Sequence, residues 1–426
     1  MRSTTLKQND LKMTSFASSF LLLAKKLIRK KISGLPSGCI AINDPFDHWQ
    51  TDSALPADIT IEIKDMRFYI DVLLAGSNGA ASAYRDGYWR CDNLVGLFQM
   101  MVRNLDHTDE LESGLASLGN WWLRRRHKAR SNTRQGSQEN IHAHYDLGND
   151  MFQLFLDKTM TYSSGFFLNE QSTLEDASIE KLDRICRKLD LKPHHRLIEI
   201  GSGWGSFSIH AAKNYGCHVT TITISKEQYG LAKQRIQEQG LDDRIDIKLC
   251  DYRDLTGKFD KLVSIEMIEA VGHEYLPAYF SSCASLLKND GQMLVQAITM
   301  PDQRYTQYLK TSDFIQQFVF PGSCVPSLTA MLNAITESSD LRVNNIEGFG
   351  LHYAKTLKIW RENFMARLDD VKQYGYGDDF IHLWEYYLAY CEAGFIECYT
   401  GVVQMLMNKP AYGREALTRA DSSVHL

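Results

Sequence analysis

Three glycines at alternate positions, Gly201, Gly203 and Gly205, follow a short apolar run that begins at Arg196. Glycine lets a backbone turn tightly and approach a ligand closely. A helical pattern follows, so the segment predicts a strand, a glycine-rich turn and a helix N-terminus, the arrangement of a nucleotide site. The spacing is neither the Gly-x-Gly-x-x-Gly of dinucleotide sites nor a P-loop, which would need a following Lys-Ser or Lys-Thr.

An acidic residue, Glu199, lies inside the strand just before this loop. A carboxylate there would repel a phosphate but attract a cationic sulfonium. We therefore predict that the loop and Glu199 bind S-adenosylmethionine.

Polar residues follow the next two apolar runs. Thr223 and Ser225 end the second run, with Gln228 nearby, where many nucleotide-binding folds carry an acid that binds the ribose hydroxyls. Asp251 and Tyr252 follow the third run, and Asp251 suits a hydrogen bond to the adenine amine. These five residues are predicted to complete the cofactor site.

A fourth apolar run, Phe259–Ile265, is followed by Glu266 and Glu269. In doubly wound folds, ligands lie outside the carboxyl ends of the strands, so these acids should face the same site. Strand and helix patterns alternate through residues 138–426, which predicts an α/β, Rossmann-like catalytic domain with a doubly wound, mostly parallel sheet.

The preceding part of the chain has a different pattern. Residues 38–105 show short runs with period two, and Ile59–Ile63 and Phe68–Val72 are both predicted as strands. A helical pattern covers residues 94–102. We predict a small α+β domain over residues 1–105 that associates with lipid or membrane, and a basic linker over residues 106–137.

Composition narrows the function. The net charge of −5 gives no overall attraction to nucleic acid. Nine scattered cysteines without a Cys-x-x-Cys pair indicate free thiols in a reducing cytoplasm, and no metal-ligand spacing is present. No apolar run reaches the ~20 residues of a membrane span. Basic residues follow the first apolar run instead of preceding it, which argues against a signal peptide.

Basic residues nevertheless cluster at two places. Residues 16–32 have helical apolar spacing and a basic end, which predicts either an amphipathic helix on a membrane surface or an ordinary helix with a solvated basic face. The members of the two basic patches are Lys25, Lys26, Arg29, Lys30 and Lys31, and then Arg124, Arg125, Arg126, Lys128, Arg130 and Arg134.

Several longer segments resemble the cyclopropane fatty acid synthase family. They are NIHAHYDLGNDMFQLFLDKTMTYSSGFF (residues 140–167), the glycine loop (197–207), ITISKEQ (222–228), IEMIEAVGHEYL (265–276), FVFPGS (318–323), HYAKTLKIW (352–360) and WEYYLAYCEAGF (384–395). They keep the family's order and spread over residues 138–405, so the match is specific. Residues 76–89 resemble the smaller domain of the two-domain, phospholipid-acting members.

This resemblance implies methyl transfer from S-adenosylmethionine to the cis double bond of an acyl chain in a membrane phospholipid. The π bond is the nucleophile, so alignment and exclusion of water lower the barrier, and aromatic faces and carboxylates stabilise the resulting cation. Tyr162 and Ser163 are implied in cofactor contact. The family also implies a cytoplasmic enzyme, peripheral on the inner face of the membrane and compatible with a homodimer.

In the family, a bound bicarbonate is thought to remove the proton that allows ring closure. By motif match, its site here is Ser164, Glu269, Gln296, Ile298 and Tyr353. The family usually has Cys at the position of Ser164 and His at that of Gln296. Both replacements can hydrogen-bond an anion, but an amide cannot take up a proton. The pattern therefore favours an open-chain methylated product over a cyclopropane.

Three alternatives stay open. The product is either a ring, a methylene chain or a methyl branch, and the branch requires hydride from a partner reductase. A non-catalytic, lipid-binding relative could keep S-adenosylmethionine as a structural ligand, although the retained Glu269 and Tyr353 count against it. A small-molecule N-methyltransferase on the same scaffold would not need the N-terminal domain or the basic patches.

Overall fold

The computed structural model describes residues 15–33, 35–105, 136 and 148–413. Three predicted features fall at least partly outside the described residues: the second basic patch, residues 140–147 of the first family segment, and the predicted linker except Gly136. The described part of the chain divides into two units, one of residues 15–33, 35–93 and 103–105 and one of residues 94–102, 136 and 148–413.

The first unit contains a four-stranded sheet in the order β2-β1-β3-β4, with two helices before and within it. Strand β1 pairs parallel with β3, and the other two pairings are antiparallel. The elements of this unit are α1 (Ser15–Ile32), β1 (Ile40–Asp44), β2 (Asp47–Gln50), β3 (Ile59–Ile63), α2 (Arg67–Arg85) and β4 (Trp89–Cys91). The next helix, α3 (Leu94–Arg103), belongs to the second unit except for its last residue. The predicted α+β class is confirmed.

The prediction of a strand at Phe68–Val72 is wrong, because these residues form the beginning of α2. Tyr69 and Leu73 are buried at the spacing of one helical face, and α2 continues to Arg85 across a kink at Gly76, whose φ is +56°. A five-residue window contains too few positions to separate this period from the period of two.

The second unit contains a seven-stranded sheet in the order β10-β11-β9-β8-β5-β6-β7. Its elements are α4 (Asn149–Gln153), α5 (Leu174–Lys188), β5 (Arg196–Ile200), α6 (Ser206–Tyr215), β6 (His218–Thr223), α7 (Lys226–Glu238), β7 (Ile245–Leu249), β8 (Phe259–Ile265), α8 (Leu276–Leu286), β9 (Leu287–Thr299), α9 (Asp302–Tyr308), α10 (Leu328–Ser338), β10 (Arg342–Gly348), α11 (Gly350–Met365), α12 (Leu368–Gln373), α13 (Asp378–Ile396) and β11 (Gly401–Asn408).

Strands β5 to β9 are parallel, and β11 and β10 continue the sheet antiparallel beyond β9. Both faces of the sheet are covered. Leu197 of β5 packs in one buried cluster with residues of α5 and α6, whereas Ile198 and Ile200 pack in another with residues of α8 and α10. Burial on both faces explains the near-continuous apolar runs, and the predicted doubly wound, mostly parallel sheet is confirmed.

Candidate active site

The glycine loop lies at the carboxyl end of β5 and leads directly into α6. Gly201, Gly203 and Gly205 have φ angles of +94°, +50° and +85°, a region that favours glycine. A Cβ added to Gly203 would meet no atom within 4 Å. The loop therefore presents bare backbone to open space beside a helix N-terminus, which fits close approach by a nucleoside.

Glu199 is buried in β5 and accepts a hydrogen bond from the Thr221 hydroxyl at 2.6 Å. Burial raises the pKa of Glu199 to about 8, because the charged form loses its hydration. An approaching cation would favour its ionised form. The buried carboxyl of Glu199 thus fits a cofactor with a sulfonium cation better than one with a phosphate.

The polar residues after β6 form one small network. The Thr223 hydroxyl donates to the Gln228 amide oxygen at 2.9 Å, and Ser225 is the N-cap of α7, accepting from the Gln228 backbone N–H at 3.3 Å. Ser225 therefore has a clear part in starting the helix. The Gln228 side chain, held at 6 % exposure, is the member of the three best placed to offer its amide N–H groups.

Asp251 and Tyr252 follow β7, as their sequence position predicts. The Asp251 carboxylate pairs with the Arg253 guanidinium at 2.6 Å and accepts from the Arg253 backbone N–H at 2.9 Å. Tyr252 packs edge-on against Tyr279, with ring centroids 5.6 Å apart. An adenine amine at Asp251 would therefore share the carboxylate with Arg253.

Tyr162 and Ser163 lie between α4 and α5. The Tyr162 hydroxyl is 2.9 Å from the Tyr387 hydroxyl, and Ser163 accepts from the Lys181 ammonium at 2.7 Å. Lys181 is 1 % exposed, and burial lowers its pKa to about 8 although the carboxylate of Glu266 raises it. A buried ammonium thus reaches the cofactor side of the site through Ser163.

Glu266, directly after β8, gathers three hydrogen-bond donors. Its Oε1 accepts from the Ser164 backbone N–H at 3.0 Å and from Gln296 Nε2 at 2.7 Å. Its Oε2 accepts from the Tyr353 hydroxyl at 2.6 Å. Three of the residues predicted to bind bicarbonate therefore surround a carboxylate of the protein itself. The Ser164 hydroxyl takes no part, because it donates to the Gly165 carbonyl at 3.0 Å.

Glu266 also has an unusual backbone, with a φ of +48°. Few residues other than glycine adopt this region, and such conformations concentrate at functional sites. Burial raises the pKa of Glu266, although the hydrogen bonds from Tyr353, Gln296 and Ser164 oppose this effect by favouring the ionised form.

Glu269 lies one short turn further along the chain. Its Oε1 accepts from the Ile298 backbone N–H at 2.5 Å, and its buried Oε2 has no hydrogen-bond partner among the described residues. Burial, with a smaller effect of the Glu266 charge, raises the pKa of Glu269 to about 8. At neutral pH Glu269 therefore carries a proton, whereas the three hydrogen-bond donors around Glu266 favour its ionised form and oppose the effect of burial.

A group of aromatic rings continues from this acidic centre. Tyr353 packs edge-on against Trp360, which in turn contacts Tyr162 at a centroid distance of 5.2 Å. Tyr387 extends the group to Phe320, 6.1 Å away. We call these five residues the aromatic wall. Their faces can pack on an apolar chain and stabilise a cation.

Sequence reasoning placed Glu266 at the strand ends that face the site but gave it no catalytic or cofactor-binding role. The available signal was the pair of acids three residues apart in IEMIEAVGH. Sequence reasoning also missed Lys181. Its position among the buried residues of the amphipathic helix α5 was the available signal. The described residues contain no cluster of three or more His, Cys, Asp or Glu side chains that could hold a metal ion.

Comparison with known proteins identifies the architecture. The profile of the mycolic acid cyclopropane synthetase family matches residues 132–405. The chain is 38% identical over 341 residues to the tuberculostearic acid methyltransferase of Mycobacterium tuberculosis, covering 77% of this chain and 78% of that protein. It is 34% identical over 384 residues to the cyclopropane-fatty-acyl-phospholipid synthase of Escherichia coli strain K12, covering 85% and 94%.

Among solved structures, mycolic acid cyclopropane synthase CmaA1 complexed with S-adenosylhomocysteine superposes with a TM-score of 0.60 at 30% identity, covering 64% of this chain and 98% of that one. The parallel sheet and the glycine loop, together with these relatives, define an S-adenosylmethionine-dependent methyltransferase. Within that class, the chain belongs to the mycolic acid cyclopropane synthetase family.

Proposed function

We propose that the protein methylates the cis double bond of unsaturated acyl chains in membrane phospholipids, with Glu266 as the proton acceptor. The observation that carries this proposal is the Glu266 carboxylate held by Ser164, Gln296 and Tyr353. When bound, S-adenosylmethionine supplies an electrophilic methyl group. The glycine loop, Glu199 and the polar residues after β6 and β7 are the residues that would hold it.

The aromatic wall would hold the acyl chain beside the two buried acids. Methylation of the alkene places a positive charge on the neighbouring carbon, which ring faces and the Glu266 carboxylate stabilise. A C–H bond then breaks, its proton passes to Glu266, and its electron pair forms either a double bond or the third side of a ring. No step requires a nucleophile from the protein.

Glu266 also takes the place of the anion that the family resemblance implies. Its oxygens already accept from the three groups assigned to bicarbonate, so a second anion there would meet a carboxylate instead of free donors. Taking up a proton requires Glu266 to weaken at least one of its three hydrogen bonds, which slows proton removal and gives the cation time to rearrange. We therefore favour an open-chain methylene product, and a methyl branch where a partner reductase adds hydride.

The product test uses expression in a host without acyl-chain methylation of its own, followed by gas chromatography and mass spectrometry of the lipids. Methylated acyl chains are expected, and their absence in cells that contain folded protein contradicts the substrate assignment. A methylene chain and a cyclopropane both add one CH₂, but ozonolysis cleaves only the former. A cyclopropane as the sole product would show that proton removal is fast and that the open-chain preference is wrong.

The role of Glu266 is tested by Glu266→Gly. Glycine suits the positive φ of this position and leaves the three donors facing a space the size of the lost side chain. We expect purified variant enzyme to lose about 10²-fold in turnover in carbonate-free buffer, the scale of one preorganised group. Added bicarbonate should restore part of it and should not change the wild type.

Asp190→Gly is the matched control, because Asp190 also has a φ of +48° but is exposed and lies before β5. It should remain indifferent to carbonate. Wild-type turnover by Glu266→Gly in carbonate-free buffer would remove Glu266 from proton transfer.

Peripheral binding to the inner face of the membrane is part of the same proposal. Among the described residues, no helix combines the length and apolar character needed to cross a bilayer. Exposed apolar and basic residues of α1 support surface contact, and a homodimer is compatible with this arrangement.

A further inference from the structure

A row of polar side chains crosses the antiparallel part of the sheet towards Glu266. Glu347 of β10 lies directly opposite Gln404 of β11, and Gln404 lies directly opposite Gln296 of β9. Gln296 is in turn the partner of Ile265, the last residue of β8. The row thus reaches the carboxyl end of β8, where Glu266 begins.

Hydrogen bonds connect this row without a break. Lys188 at the end of α5 donates from Nζ to Gln404 Oε1 at 2.7 Å, and Gln404 Nε2 donates to Gln296 Oε1 at 3.0 Å. Gln296 Nε2 then donates to Glu266 Oε1 at 2.7 Å. Gln296 and Gln404 are 0% and 1% exposed, so neither amide has solvent as an alternative partner.

The chemistry of Lys188 fixes the direction of the whole chain. An ammonium only donates, so Gln404 must turn its oxygen towards Lys188 and its N–H₂ towards Gln296. Gln296 must then turn its oxygen towards Gln404 and its N–H₂ towards Glu266. Without Lys188, two buried amides could both turn over and keep the bond between them while reversing its direction.

We infer that Lys188 and Gln404 are positioning residues, which hold the Gln296 amide with its N–H₂ group towards the Glu266 carboxylate. This inference rests on the proposed role of Glu266. A reversed chain would present the Gln296 oxygen to Glu266, and Glu266 would then have to carry a proton to keep that contact. A Glu266 that already holds a proton cannot accept another.

Other charged groups near Glu266 act independently of this chain. Lys181 lies on the α5 side of Glu266 and favours its ionised form, whereas Glu269, which carries a proton at neutral pH, adds no like charge. Tyr353 of α11 donates to the other carboxylate oxygen. At the far end, Lys188 is held by an ion pair with Glu347, which also pairs with Arg184 at 2.6 Å. The Lys188 path ends at Glu266 Oε1, which also accepts from the Ser164 backbone N–H.

Gln404→Glu tests the direction with little change of shape. A carboxylate at position 404 keeps the contact to Lys188 and accepts only, so Gln296 must turn its N–H₂ away from Glu266. Protonation of Glu266 should move to higher pH by about one unit, the scale of one hydrogen bond to a charged group. The acidic limb of the turnover profile should move with it, at unchanged KM for S-adenosylmethionine.

Lys188→Met should move the acidic limb of the turnover profile in the same direction. Lys188→Arg should leave that limb at its wild-type position, because a guanidinium, like an ammonium, only donates hydrogen bonds. Arg184→Met is the control, because it removes a cation that shares the Glu347 partner but does not touch Gln404. Thermal melts identify any variant that fails to fold.

Infrared difference spectroscopy gives a readout that does not depend on turnover. The carboxyl band lost in Glu266→Gln reports the protonation midpoint of Glu266 in the empty protein. A midpoint that is equal in wild type, Gln404→Glu and Lys188→Met would overturn the inference. Failure of the proposed function would appear separately: the variants would still shift the infrared midpoint of Glu266, but the wild-type protein would methylate no lipid.

Discussion

Glu266 and Glu269 show how two neighbouring acids can differ through their surroundings alone. Glu266 accepts three hydrogen bonds, whereas Glu269 accepts one and leaves an oxygen without a partner among the described residues. Hydrogen bonds to a carboxylate favour its charge, and burial opposes it. The pair therefore combines an acid whose ionised form is favoured by three donors with an acid that burial keeps protonated at neutral pH.

A consequence for stability follows from Glu269. The pKa of Glu269 in the folded protein, about 8, lies above the ordinary glutamate value of 4.5, so between these values the folded protein keeps a proton that the unfolded chain releases. This contribution to the free energy of unfolding is present below pH 4.5 and is lost as the pH rises towards 8. Glu269→Gln, which resembles the protonated form, should gain stability relative to wild type across that window. Urea unfolding of cofactor-free protein at pH 5 and pH 8 measures it.

Glu347→Gln is a useful comparison, because Lys188 and Arg184 outweigh burial and lower the pKa of Glu347. The stability difference between wild type and Glu347→Gln should therefore have the opposite pH dependence: the wild type should become the more stable of the two as the pH rises from acid. Parallel stability curves for wild type and Glu269→Gln would show that Glu269 is ionised in the folded protein throughout.

The sequence could bring Ser164, Gln296 and Tyr353 to one place through their motifs, and the structure places all three at one carboxylate. It could not identify that carboxylate as Glu266. The direction of this side chain depends on a positive φ, which residue type does not reveal for a residue other than glycine. The cross-strand row from Glu347 to Gln296 was equally hidden, because it requires the register of three strands.

At the scale of elements, the glycine loop between β5 and α6 is the part that sequence predicted most fully. Its glycine spacing, the preceding apolar run and the following helix are all local properties, and the sheet order confirms the strand to which they belong. The prediction of a strand at Phe68–Val72 was wrong because its local pattern fits both the period of a strand and the period of a helix.

Gly203→Val tests the loop. The added branched side chain would project into the open space in front of the loop, where the cofactor is proposed to lie. We expect S-adenosylmethionine binding to be lost in isothermal titration calorimetry, with a backbone penalty of about 1–3 kcal/mol from the positive φ.

Gly240→Val matches it closely. Gly240 has a φ of +64°, and a Cβ there also meets no atom within 4 Å, but it follows α7 on the far side from the strand ends. It should carry a similar strain and leave binding intact. Equal affinity in Gly203→Val and Gly240→Val would place the cofactor elsewhere.

At the scale of the whole molecule, we propose that the first unit makes the contact with the membrane. Leu21, Ala24 and Ile28 of α1 are buried, whereas Leu22 and Leu23 are 63% and 50% exposed. The basic patch predicted here is divided by the fold. Its members Lys25 and Arg29 pair with acids of the first unit, and Lys26 and Lys30 remain on the exposed face with the two leucines.

We expect the protein to bind vesicles of anionic lipid and to dissociate as salt is added. Each surface lysine contributes about 1 kcal/mol, so Lys26→Gln with Lys30→Gln should weaken binding by more than tenfold. Co-sedimentation at low and high salt measures this. Lys64→Gln, an exposed lysine outside α1, is the control. Binding that ignores both salt and the double substitution would exclude an electrostatic contribution from this helix.

The burial of Glu199 has a consequence for the life cycle of the cofactor. Its pKa of about 8 means that it holds a proton in the empty site at neutral pH. In the proposed arrangement, a sulfonium displaces that proton, whereas the uncharged thioether left after methyl transfer lets it return. Binding of S-adenosylmethionine is thus coupled to release of a proton from Glu199. Dissociation of the thioether product follows uptake of a proton by the same residue. We therefore expect the proposed site to discriminate between the two forms by charge, and a pH above about 8, which removes the proton beforehand, to strengthen its preference for the charged cofactor.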